Sequence, residues 1–314
     1  MKKFLTIADQ INLLKSRNLV INDENYVANY LLSNNYYNII NGYGKYFPQS
    51  NDVYTNGTTF NEIARLYLFD RELKQVFFKA LINIEAHLKA IFAHRFAEEY
   101  SLPYAYLNTA CYDSKKALSV VSTIYHLSGT INHYRTIQGT SIYHYIKKHN
   151  DVPIWVLVNY LDFGELRHML AASTTKIQNK VAKDMESFIR ENIKNPQIFT
   201  PETMLSFIEN INDVRNICAH NNRLIGFQCR RDSKYWKCLH DPYGIAANDK
   251  KRDVYSVFIS TQCFLGKIEF AILHNSIRKL MNMHLKNQLQ SIPQNTILRE
   301  LGFPDDWDFT TPKI

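Results

Sequence analysis

The sequence predicts an all-α protein. Three observations carry that reading. Helix start signals recur, most clearly as two Thr-x-x-acid capping boxes at Thr6–Asp9 and Thr59–Glu62. Apolar residues repeat at helical spacing over about 59–99, the longest such run in the chain. The 314 residues include only 10 Gly and 9 Pro, too few for the many short turns of a β-sandwich or an α/β barrel. No alternating run is long enough to build a sheet.

The elements follow in order. Thr6 opens a helix with Ile7, Ile11 and Leu14 on one face. Asp23 caps a second, reaching about Leu32. The Asn/Tyr-rich stretch 34–47 reads as a turn followed by packed aromatics, and 48–58 as a loop. Thr59 opens the long helix, with Ile63, Leu66, Leu73, Phe77, Leu81, Ile84, Leu88, Ile91 and Phe92 in register, and Pro103 stops it. Helical patterns then cover about 114–128, 139–149, 153–172 and 175–193. Thr200-Pro201-Glu202 is a cap, a proline at the first helical position and an acidic first turn. Its helix turns Leu205, Ile208, Ile211, Val214 and Ile217 inward. A polar stretch at about 221–253 precedes a last long pattern at about 254–287. The expected organisation is an N-terminal helical segment, 1–58, packed on a core, 59–287, with a tail, 288–314.

Composition narrows the function. The chain carries 37 Lys and Arg against 29 Asp and Glu, a net charge of +8, with pI about 9.1. That favours an anionic partner such as nucleic acid or a membrane surface. The mean hydropathy is −0.30, and no apolar run approaches the ~18 residues of a membrane span. The opening decapeptide is too polar for a signal peptide, so the expected compartment is the cytoplasm. The 5 Cys (111, 218, 229, 238 and 263) lack any CxxC spacing, which argues against a disulfide framework. His87/His94 and His126/His133 have no third ligand type beside them, and Cys218, Cys229, Cys238 and His240 lack zinc-site spacing, so no metal is expected. No glycine-rich phosphate loop is present, so no nucleotide cofactor is expected.

The charge is concentrated. Between Arg215 and Arg252 stand nine basic residues and three acidic ones, a net of +6. Arg223, Arg230, Arg231, Lys234, Lys237, Lys250, Lys251 and Arg252 interleave with Phe227, Tyr235, Trp236 and Tyr243. Cations neutralise phosphates and aromatic faces stack on unpaired bases, so the mixture suits single-stranded RNA. A solvated basic loop would have the same composition.

At the start of this segment lies Arg215-Asn216-Ile217-Cys218-Ala219-His220. A His near neutrality can take the 2′-hydroxyl proton or protonate the leaving 5′-oxygen. An Arg can clamp the scissile phosphate, and Asn216 can orient either partner. One bare Arg…His spacing is weak, and Arg278…His284 is a second loose match. On a regular helix, positions five apart diverge by about 140°. Arg215 and His220 therefore share a site only if the helix ends near Ala219, as Asn221-Asn222 suggests, or if a twofold dimer assembles the site.

The whole chain resembles the AbiD/AbiF-like abortive infection family of bacterial phage-defence proteins. The resemblance runs through Thr6–Ile11 with Leu14–Arg17, Asn35-Tyr36-Tyr37 with Gly42-Tyr43, Leu66–Leu73, Ile84–Lys89, Pro153-Ile154-Trp155 with Phe163–Leu166, Arg215–His220 and Gly302–Trp307. That family resembles a branch of the HEPN superfamily, whose members are helical and often metal-independent ribonucleases. The resemblance implies a HEPN-like helical bundle with additional N-terminal and C-terminal helices. It implies Arg215, Asn216 and His220 as catalytic residues, and Asp70, Glu72 or Glu85 of the long helix as the group orienting the Arg. It also implies an RNA partner, as substrate and as a cognate small noncoding RNA, with no DNA; the motif geometry adds the expectation of a homodimer. Where the family often continues past the motif with an Arg and an aromatic run, this chain has Arg223 followed by Leu224-Ile225-Gly226-Phe227. A non-cleaving, RNA-binding protein is the alternative.

Overall fold

A computed structural model describes residues 4–55, 57–312 and 314. Residues 1–3 of the opening decapeptide, 56 of the 48–58 loop and 313 of the tail lie outside the described residues.

Both capping boxes form. The Thr6 hydroxyl accepts from the Asp9 N–H and the Asp9 carboxylate from the Thr6 N–H, each at 3.2 Å, starting α1 (Ile7–Ser16). Asp23 accepts from the Tyr26 N–H at 2.9 Å and starts α2 (Glu24–Ser33). Tyr26 and Tyr30 set their rings edge-on to Phe60, tying α2 to the long helix. The 34–47 stretch is more ordered than a turn. A π-helical turn, Tyr37–Asn41, and a 3-10 turn, Gly44–Tyr46, bury Tyr43 and Phe47. The 48–58 loop holds a small antiparallel hairpin, β1 (Gln49–Ser50) and β2 (Val53–Tyr54). Strands of two residues are a clasp rather than a layer, and the fold is all-α.

The long helix is α3 (Phe60–Glu99), 40 residues, or about 60 Å at 1.5 Å per residue. Its expected apolar face is buried from Ile63 to Phe92, with Ile91 half-buried at the margin. It packs against the helices that begin at Ile154, Thr175, Pro201 and Lys267. Glu62 both closes its capping box on Thr59 and accepts from the backbone N–H groups of Gln290 and Ser291 at 2.7 and 2.8 Å. The tail is thereby fastened to the start of α3.

After α4 (Ala117–Tyr134) and α5 (Ser141–His149), the 153–172 pattern proves to be two helices, α6 (Ile154–Leu157) and α7 (Phe163–Ala172). The cause is a third capping box: Asp162 accepts from the Glu165 N–H at 2.7 Å, and Glu165 from the Asp162 N–H at 2.8 Å. A chain stopped there starts a new helix. α8 (Thr175–Asn192), α9 (Pro201–Ala219) and α10 (Lys237–His240) follow. The 254–287 pattern is also interrupted, into α11 (Val254–Ser260) and α12 (Lys267–His284), with Gly266 as the new N-cap. Residues 254–265 are buried on every side, so their apolar run has no polar face to reveal the break. The chain closes with α13 (Gln294–Glu300) and α14 (Trp307–Thr310). Between them Gly302 sits at φ +81°, where an added Cβ would lie 2.3 Å from the Asp253 carboxyl carbon. One continuous core of buried side chains runs from Ile11 to Trp307. Among the described residues, no helix is long and apolar enough to cross a membrane.

Candidate active site

The Arg215–His220 motif occupies the end of α9. Thr200 caps the helix start, and Met204, Phe207, Ile208, Ile211 and Val214 bury one face. The helix stops where Asn221-Asn222 suggested. His220 is the C-cap and Asn221 takes a left-handed conformation, φ +52°. The Asn222 N–H bonds the Ile217 carbonyl at 3.0 Å and the Asn221 N–H the Cys218 carbonyl at 3.3 Å. This pair of bonds is a Schellman ending, and Asn tolerates the left-handed position it demands.

Ending the helix does not bring the two motif residues together. Arg215 opens onto a cavity of about 940 Å³ along α3 and α6, and His220 onto a separate polar one of about 370 Å³. The second is lined by Tyr37, Asn38, Asn41 and Tyr67 as well as Arg223. His220 itself is exposed there.

Of the three candidate orienting carboxylates, only Glu85 meets Arg215. Its Oε2 lies 3.7 Å from Arg215 Nη2. Its Oε1 pairs with Lys89 at 2.8 Å, and the Lys89 ammonium donates to the Leu161 carbonyl at 2.6 Å. Arg215 Nη1 donates to Asn216 Oδ1 at 3.4 Å, and its Nε is buried without a partner. The guanidinium is aimed but loosely held.

Asp70 does other work. Fully buried, it accepts from the Leu224 and Ile225 N–H groups at 3.0 and 2.8 Å, from the Tyr43 hydroxyl at 2.7 Å, and pairs with Lys74 at 3.1 Å. Lys74 in turn donates to the Asn221 carbonyl at 3.4 Å. Asp70 thus fixes the chain just beyond His220 and does not touch Arg215. Glu72 pairs with His284 Nε2 at 3.0 Å. That contact also explains the loose Arg278…His284 match, because His284 is a buried hydrogen-bond partner of Glu72, 4% exposed. Arg223 is an anchor as well: it donates to the Gly42 carbonyl at 2.6 Å and lies over the Tyr46 ring.

The basic segment divides. Trp236 is buried, its ring 5.0 Å from Phe199, and Lys251 is buried with its ammonium donating to the Ala247 and Asp249 carbonyls. These two are core residues and present nothing to a strand. Tyr235 is half-buried, stacked on His240 and bonded to Asp241, and Arg252 is also half-buried. Arg230, Arg231, Lys234, Lys237 and Lys250 are exposed. Burial pushes the Cys218 thiol up to about 12, which keeps it protonated and apolar in character. Among the described residues, no three His, Cys, Asp or Glu side chains come together as a metal site.

Two site residues went unread in the sequence. Lys89 stood in plain view four residues after Glu85, the spacing of a helical ion pair. Trp155 carried no local signal beyond its Pro153-Ile154-Trp155 setting.

Fold and site define an all-helical protein with an Arg–carboxylate pair and a helix-terminal His that open onto separate cavities. The chain belongs to the Abi-like protein family, whose family model matches residues 29–226. Membership points to abortive infection, a defence against phage. No curated protein and no solved structure gives a significant match.

Proposed function

We propose that the protein is a metal-independent HEPN-type endoribonuclease of phage defence, acting as a cytoplasmic homodimer. The observation that carries this is the Arg215 guanidinium, which lines a cavity and is held there only loosely by Glu85 and Asn216. His220 takes the 2′-hydroxyl proton of the substrate. The 2′-oxygen attacks the phosphorus, the P–O5′ bond breaks, and the 5′-oxygen takes a proton from water. The products are a 2′,3′-cyclic phosphate and a 5′-hydroxyl. Arg215 stabilises the charge that builds on the phosphoryl oxygens. DNA has no 2′-hydroxyl and is not cleaved. The exposed Arg230, Arg231, Lys234, Lys237 and Lys250 hold the strand by its phosphates. No cofactor takes part. A twofold arrangement would let the Arg215 of one copy work with the His220 of the other, which fits their opening onto separate cavities in one chain. A cognate small noncoding RNA restrains or directs the enzyme.

The same separation of Arg215 and His220 favours a second reading, a protein that binds RNA without cutting it. Labelled single-stranded RNA incubated with the protein in EDTA decides. Cleavage should persist in EDTA and fall about 100-fold or more in Arg215→Ala and His220→Ala. Cleavage unchanged in both variants, or abolished by EDTA, overturns the mechanism. Salt-sensitive binding with no cleavage establishes the second reading.

A further inference from the structure

We infer that the cavity beside Arg215 is a base-stacking subsite, with Trp155 as the platform for an unpaired nucleobase of the RNA strand. This rests on the ribonuclease reading above. The cavity volume, about 940 Å³, falls within the roughly 300–1,000 Å³ of ligand clefts. One side is a face of α3 on which Ile82, Ala86 and Ala90 recur at four-residue spacing, and the alanines leave the cleft wide. The other side is the turn that begins at Pro153.

In that turn Ile154, Val156, Leu157 and Val158 are all buried, and Trp155 is 56% exposed. Trp236 and Trp307, the other two tryptophans, are core residues at 5% and 3%. The turn is rigid on both flanks. Pro153 enters it at φ −61°, and Lys89 holds the Leu161 carbonyl beyond it. An indole more than half exposed beside an apolar cleft leaves a face free, and every nucleobase has a face that can stack on it.

The same cavity contains Arg215, whose terminal nitrogens are held only by long contacts, to Glu85 at 3.7 Å and to Asn216 at 3.4 Å. An apolar peptide would cover Trp155 and leave those donors unmatched. A nucleotide supplies both complements, a flat base for the indole and a phosphate for the guanidinium.

The test uses a 2′-O-methyl RNA 12-mer, which lacks the attacking hydroxyl, and an abasic 12-mer with the same phosphates. Because Trp236 and Trp307 are buried, a quench of tryptophan emission on RNA binding reports Trp155. Saturating RNA should quench the wild type and leave the emission of Trp155→Ala unchanged. Trp155→Ala should bind the RNA about 10-fold more weakly, and Trp155→Phe within about threefold of the wild type. The abasic strand should bind wild type and Trp155→Ala alike. RNA binding measured by anisotropy that is the same in Trp155→Ala sinks the subsite and leaves the ribonuclease reading intact. A Trp155→Ala protein that sediments as a smaller species than the wild type reassigns the cavity to the interface with a second copy. A wild-type protein that neither binds nor cleaves RNA ends both readings together.

Discussion

Glu85 on α3 meets Arg215 on α9 at 3.7 Å, and the Arg215 Nε beside that pair is buried with no partner. The guanidinium is half-buried, and a buried donor with an unmade bond is costly. On the ribonuclease reading proposed above, the carboxylate sets the direction of the guanidinium and leaves its terminal donors for a phosphate. Glu85→Gln should therefore keep the fold, with thermal unfolding within a few degrees of wild type, and lower RNA cleavage by about 10- to 100-fold through misplacement of the guanidinium. Steady-state cleavage rates check this, and an unchanged rate would remove Glu85 from the site.

Separate cavities for Arg215 and His220 make a mixing experiment decisive for the dimer. Arg215→Ala and His220→Ala proteins are each expected to be inactive. Unfolded and refolded together, they should form heterodimers in which one site has both residues intact. Cleavage should reappear in the mixture. A mixture as inactive as its components argues that each chain supplies both groups itself.

Asp70 satisfies three donors and one ammonium inside the core. Removing it leaves Lys74, 4% exposed, as a buried charge without a counter-ion. Asp70→Ala should lose about 3–5 kcal/mol of stability by denaturant unfolding. Asp70→Asn retains an acceptor for the Leu224 and Ile225 N–H groups and should lose less.

Glu62 gives stability a pH dependence. Burial by itself would raise its carboxyl. The Ser291, Thr59 and Gln290 N–H groups and the Ser291 hydroxyl outweigh that and hold it below its ordinary value. A carboxylate lowered on folding stabilises fully above its ordinary value of 4.5, and the contribution is lost as pH falls through the lower folded value. The gap in urea midpoint between wild type and Glu62→Gln should thus be complete at pH 7 and narrow below about pH 4.5. A constant gap would show that the effect is one of shape rather than charge.

The basic segment should separate by burial. Trp236→Ala should destabilise by about 3–5 kcal/mol, the usual result of emptying a core site. Each alanine at Arg230, Lys234 or Lys237 should leave stability nearly unchanged and flatten the salt dependence of RNA binding by about 0.7 for each phosphate no longer neutralised. Equal salt slopes in wild type and these variants would place the strand elsewhere.

What was legible in the sequence was local. Thr6, Asp23, Thr59 and Thr200 cap helices because a side-chain oxygen reaches a backbone N–H two or three residues on, a bond that needs no tertiary structure. The Asn221 ending of α9 belongs to the same class. The break at Asp162 carried the same local signal, an Asp three residues before a Glu, whereas the one at Gly266 was hidden by a preceding run buried on every side. Choosing among Asp70, Glu72 and Glu85 needed the position of α9 along α3. Asp70 and Glu85 stand about 22 Å apart on that axis, and only tertiary packing decides which of them Arg215 reaches. Trp236 and Trp155 illustrate the same limit. The indole amid the basic residues is buried, and the one in an apolar turn faces out.

The 40 residues of α3 behave as a camshaft. Glu62 engages the tail, Asp70 the segment after His220, Glu72 the end of α12, Glu85 the motif Arg and Lys89 the turn beyond Trp155. Their timing is angular. One residue inserted between Lys74 and Glu85 would rotate every later lobe by about 100° and advance it by about 1.5 Å. Glu85 would leave Arg215 while Asp70 kept its grip, disconnecting the two halves of the motif's support without emptying any cap. A change of length inside α3 would therefore break this support, where one of the same size in a loop would leave the phase of α3 intact.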